Sequence, residues 1–106
     1  MKSLNKTQAE SLYNSIDPNS WGGAEITGNH GNERVEVVAN GVETYVTDTH
    51  FTENGTFEGV EYAFTYYFSA EEMAAIVDSD CGALDWDFDH ITEIKEFEDY
   101  ETIYEA

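Results

Sequence analysis

The sequence predicts an α+β domain: an antiparallel sheet of about four to five strands with one or two helices packed on one face. Three observations predict it. Two segments pair a helix-start signal with apolar residues at helical spacing. Between them, β-branched and aromatic stretches alternate with Asn-Gly turn signals. The chain has 106 residues, 41% of them hydrophobic and 14% aromatic, which suits a single domain over 1–106 with a real core.

The elements follow in order. Thr7 and Glu10 have capping-box spacing, and Ala9, Leu12, Tyr13 and Ile16 recur at i, i+3, i+4 and i+7, so the first helix starts here. Asp17-Pro18 ends it, because proline disfavours helical geometry at the residue before it. The stretch 19-NSWGGAEITGNHGN-32 reads as turn-rich, with room for a short strand at Ala24–Thr27. Arg34–Ala39 and Val42–Thr47 read as a hairpin joined by Asn40-Gly41. Asn54-Gly55 predicts a second turn, between His50–Phe51 and a strand over Glu58–Phe68. In that strand Val60, Tyr62, Phe64, Tyr66 and Phe68 share one face and form the expected core.

Ser69 and Glu72 form a second capping box, opening a helix with Met73, Ile76 and Val77 as its apolar stripe and Gly82 as its stop. Then comes 84-LDWDFDHITEIKEFEDYETIYEA-106. Leu84, Trp86, Phe88 and His90 alternate with Asp85, Asp87 and Asp89, which predicts a strand with three carboxylates on one face, ~6.6 Å apart. Ile91 breaks the alternation, so a bulge or turn is expected near His90. A strand through Phe97 follows, and the residues beyond it fit neither template.

Charge narrows the function. Four basic residues face 23 acidic ones, for a formal net charge of −19. Self-repulsion on that scale works against a compact state. Phosphate binding needs Lys and Arg clusters, so neither nucleic acid nor an anionic membrane surface is expected as a direct partner. The opening MKSLNKTQAESLYNSI has no apolar core of a signal peptide, and the longest aliphatic run is far short of a span. Cys81 has no second cysteine for an internal disulfide, so a reducing, cytoplasmic setting is expected. Monomer and dimer both remain open.

No motif for catalysis stands out, and no cofactor is expected. Counting from Asp85, acids fall at positions 1, 3, 5, 9 and 12 (Asp85, Asp87, Asp89, Glu93, Glu96), the side-chain ligand positions of a calcium loop. His90 stands where that loop needs glycine, and Trp86 and Phe88 suit a half-buried strand better. Glu93-Ile94-Lys95 matches the E-x-K of metal-dependent nucleases, with Asp80, Asp85 or Asp89 as an upstream acid, but such an enzyme would repel its substrate. Acidic neighbours disfavour a Cys81 thiolate, and His30, His50 and His90 lack zinc spacing.

Charge as the function is the remaining reading. From Asp78 onward there are 11 acids and one base, Lys95. DNA carries one charge per ~1.7 Å of axis, and two or three acidic segments on one surface would approach that density. Such a surface attracts a basic nucleic-acid groove, with tyrosines as anchors. The bland alternative is a solvated acidic surface, of halophilic or regulatory type.

The acids of 84–106 and of 53-ENGTFEGVEY-62 carry a resemblance. In size, charge and aromatic load the chain resembles the small acidic DNA-mimic inhibitors of phages and mobile elements, which include anti-CRISPR and anti-restriction proteins. The resemblance implies a basic nucleic-acid-binding protein as partner, blocked by the mimic in the host cytoplasm. It is a likeness of composition, so no residue role transfers with it. The expected partner contacts are Asp85, Asp87, Asp89, Glu93, Glu96, Glu98, Asp99 and Glu101, with Tyr100 or Trp86 as anchors.

Overall fold

A computed structural model describes residues 3–39, 42–78 and 85–106. Among these residues the strands form one five-stranded antiparallel sheet in sequential order, β1 (Trp21–Ala39), β2 (Val42–Phe57), β3 (Val60–Phe68), β4 (Ile91–Glu96) and β5 (Glu101–Glu105). Helix α1 (Lys6–Ser15) precedes the sheet and α2 (Ala70–Asp78) interrupts it between β3 and β4. The first two strands run far beyond the others, and α2 packs on them. The molecule is elongated as a result, 49 × 28 × 23 Å.

The α+β expectation holds, and β3 organises its core. Tyr62, Phe64, Tyr66 and Phe68 are all buried on one face, while Val60 at the strand's start is exposed. Ala9 of α1 and Ile16, the residue that caps its end, pack onto that face with Leu12 and Tyr13 half-buried beside them, as their spacing predicts. Ile91 and Ile94 of β4, Ile103 and Tyr104 of β5, and Phe88 complete the cluster, with Met73 of α2 at its margin. The opposite face is hydrophilic. Thr27, Thr52 and Thr65 run across three strands with hydroxyls 2.9 and 3.5 Å apart, beside Asn54 bonded to Glu61.

Several boundaries differ from the sequence reading. The cap of α1 is Asn5, reciprocally bonded to Gln8, rather than Thr7 with Glu10. Asparagine is a stronger cap than threonine, and the earlier box brings Lys6 and Thr7 into the helix. Pro18 ends α1 as expected and then opens a 3₁₀ turn capped by Asp17. From Trp21 on, the stretch expected to be turn-rich is strand β1, which absorbs its glycines in register shifts between Trp21 and Ala24, between Ile26 and Gly28 and between Asn29 and Arg34.

The second turn is displaced. Asn54 and Gly55 lie inside β2, paired with Ala63 and Tyr62, and the chain reverses at Glu58-Gly59. Both turn residues have positive φ, 51° and 80°, as a type I′ hairpin demands. Gly55 serves packing: a Cβ there would lie 2.8 Å from the Trp21 ring. The α2 capping box is present as predicted, with Ser69 N–H donating to Glu72 (3.1 Å) and Glu72 N–H to Ser69 Oγ (3.2 Å). The Asn40-Gly41 turn, Gly82, Leu84, Asp80 and Cys81 lie outside the described residues, as do the side chains of Ile76 and Val77.

Over the described residues 85–90 the expected strand is absent. Asp85 and Trp86 are irregular and Phe88–His90 is a 3₁₀ turn, so the ruled line of Asp85, Asp87 and Asp89 does not form. The alternation reflects a turn that buries Phe88 and tucks Trp86 against Phe51, Tyr66 and Phe68, ring centroids 5.0–5.1 Å apart, all edge-on. The break expected near His90 is this turn, and β4 begins at the next residue.

Candidate functional site

Strand β4 separates the expected contact residues into two groups. Asp85, Asp87 and Asp89 are exposed at its start. Glu96, Glu98, Asp99, Tyr100 and Glu101 gather at its end, ~17 Å away for six residues of strand. Glu93 lies between them, on the hydrophilic face, 3.5 Å from Lys95. Strand parity puts both on one side, so that face keeps one internal ion pair.

The group at the end of β4 is the more concentrated. The β4–β5 turn, residues 97–100, lies beside the Glu58-Gly59 turn, and the two enclose a groove of about 600 Å³ lined by Gly59, Val60, Glu61, Glu96, Phe97, Glu98, Asp99 and Tyr100. A second hollow of about 380 Å³ shares Glu61, Phe97 and Tyr100 and continues over the hydrophilic face to Glu25 and Thr27. The rings of Phe97 and Tyr100 pack at 5.6 Å. Tyr100 is 65% exposed, and Lys95 Nζ stands 6.0 Å from its ring centroid.

The local energetics run against stability. Glu96 pairs with Glu101 across the β4–β5 ladder, and Glu93 with Glu105. Like charges directly opposite destabilise a sheet. Tyr100 has φ 51°, the left-handed region that bulky side chains avoid. Carboxylates also act on the floor of this end: burial, then Glu96 and Glu58, push the Tyr62 hydroxyl's pKa up.

Before β4, Trp86, Asp87 and His90 are engaged internally. His90 has one ring nitrogen 2.6 Å from Asp87 Oδ1 and the other 2.5 Å from Glu72 Oε2. The Tyr13 hydroxyl donates to the Trp86 carbonyl at 3.2 Å. Trp86 keeps 40% exposure but its ring is packed, so it is a core-edge residue more than an anchor. Asp89 borders a separate hollow with Lys6, Phe88 and Tyr104.

The calcium-loop arrangement is not formed. Glu93 and Glu96 stand on a β-strand leading away from Asp85, and among the described residues no three His, Cys, Asp or Glu side chains are placed to hold a metal ion. Two acids of 53–62 also behave differently from each other. Glu61 joins the groove, whereas Glu53 points inward, 3.2 Å from the buried Tyr66 hydroxyl, with its pKa raised by burial. Tyr66 is therefore core and no surface anchor.

The expected contacts omit Glu61 and Phe97, which line the groove, although Glu61 belongs to the acidic stretch 53–62. The available signal was Glu58-Gly59, a turn dipeptide whose placement would have set the two acidic turns side by side. Among the described residues no helix is long and apolar enough to cross a membrane. No family model, no curated protein and no solved structure matches this chain.

Proposed function

We propose that the protein is a non-enzymatic binding protein whose turn end docks on a basic nucleic-acid-binding surface of another protein and competes with DNA or RNA there. This is the mode of a DNA-mimic inhibitor of anti-CRISPR or anti-restriction type. One observation carries the reading. The chain holds Glu96 opposite Glu101, adds Glu98 and Asp99 in the connecting turn, and sets Tyr100 outward in a strained backbone conformation. Each choice costs stability, and strain of this kind persists where function requires it.

The chemistry fits a cationic partner. Carboxylates of Glu61, Glu96, Glu98, Asp99 and Glu101 offer acceptors for Arg and Lys, and the Tyr100 face offers a cation–π site beside them. Lys95 Nζ already stands 6.0 Å from that ring's centroid, where a cation drawn to an electron-rich face would stand. With a net charge of −19, association with a basic groove is steered and weakens as salt rises.

The test is affinity capture from host-cell lysate with the wild type and with a variant carrying Glu96→Gln, Glu98→Gln, Asp99→Asn and Glu101→Gln. The reading expects a nucleic-acid-binding protein retained by the wild type at low salt, released at high salt, lost by the variant, and unable to bind DNA or RNA while complexed. Equal capture by both proteins, or a captured protein that binds nucleic acid undiminished, overturns it.

A further inference from the structure

The turn between α2 and β4 contains an arrangement that the docking proposal does not use. Both ring nitrogens of His90 face carboxylate oxygens, Asp87 Oδ1 at 2.6 Å and Glu72 Oε2 at 2.5 Å. A carboxylate only accepts hydrogen bonds, and a neutral imidazole has one N–H. Only the imidazolium donates to both partners at once. The neutral ring would set a bare lone pair against an anionic oxygen.

The contacts join three elements. Glu72 sits in the first turn of α2, where its other oxygen accepts from Ser69 N–H in the capping box. Asp87 precedes the 3₁₀ turn, and the His90 ring stacks on Phe68 of β3 with centroids 4.7 Å apart. Phe68 also packs edge-on against Trp86. Among the described residues the charged groups that face His90 are Glu72 from α2 and Asp87 from its own turn, while β3 offers the Phe68 ring.

We infer that His90 is a proton-controlled clamp: protonated, it fastens the start of α2 to the 85–90 turn, and on losing its proton it can hold only one of the two carboxylates, so the bridge between them opens. The inference is independent of the docking reading. Burial, with the side chain 19% exposed, pulls the pKa of His90 down, but its hydrogen bonds to Asp87 and Glu72 and their charges outweigh this and raise it above the ordinary 6.5. Burial alone would raise Glu72. The Ser69 and His90 hydrogen bonds reverse that, so its carboxyl is lowered and stays ionised. A histidine pKa raised by folding contributes stability that is complete below the unfolded value of about 6.5 and is lost as pH rises through the folded one.

The experiment is an NMR titration of the histidine rings and tryptophan indoles from pH 5 to 9, with urea unfolding across the same range. The wild type is compared with Glu72→Gln, Asp87→Asn and His90→Gln. The clamp expects a His90 midpoint above 6.5, a Trp86 indole signal that moves with the same midpoint, and a urea midpoint that falls as pH rises through it. Glu72→Gln and Asp87→Asn each shift the His90 midpoint downward, and His90→Gln loses the pH dependence in that window. A wild-type His90 midpoint at or below 6.5 overturns the inference. So does a Trp86 signal that ignores the titration, and neither result depends on the variants folding.

Discussion

Single residues in this protein divide into those that hold the core and those that strain it. Phe64 is fully buried against Tyr13, Trp21 and Tyr62. Phe64→Ala leaves a cavity beneath α1, and its loss of ~3–5 kcal/mol in urea unfolding would be a large part of a typical domain's stability. Gly55→Ala brings a Cβ against the Trp21 ring and also lowers the urea midpoint. Tyr100 belongs to the other class. Asparagine tolerates its left-handed backbone, so Tyr100→Asn should raise stability by up to ~1 kcal/mol while weakening association with the partner. A variant that loses stability would show that the tyrosine is held there by packing.

Among the elements, the caps and the β4–β5 hairpin make opposing contributions. Ser69→Ala removes the acceptor for Glu72 N–H, and a loss of ~1 kcal/mol is expected by thermal or urea unfolding. Glu101→Gln relieves the charge facing Glu96, so the hairpin should gain a few tenths of a kcal/mol, roughly the scale of a cross-strand pair, and lose partner affinity. What the sequence discloses at this scale follows periodicity. The alternation of β3 and the helical spacing of α1 are strong because each buries a full apolar face. The Asn54-Gly55 turn is misread because a glycine required by the Trp21 ring looks the same as one required by a turn. The 84–90 alternation misleads for a related reason. Period-two spacing of Trp86 and Phe88 arises here from a 3₁₀ turn burying one ring and tucking the other.

At the scale of the whole molecule, the described acids differ in their surroundings. Carboxylates gather at the adjoining turns 58–61 and 96–101, while Asp87 before β4 and Glu72 of α2 are tied to His90. Composition alone made an acidic surface legible, and adjacency in sequence was enough to group the acids from Glu96 to Glu101. It left invisible which acids meet, because that depends on strand order and on the true position of the β2–β3 turn. Self-repulsion at a net charge of −19 predicts a melting temperature that rises from 10 mM to 1 M salt, and a flat response would mean that the repulsion is already offset. The most direct test of the acidic turn end is NMR mapping with an arginine-rich peptide at low salt. The account predicts shifts confined to residues 58–61 and 95–101, reversed by salt and largely lost in Tyr100→Asn. Shifts spread evenly over the acidic residues would contradict it.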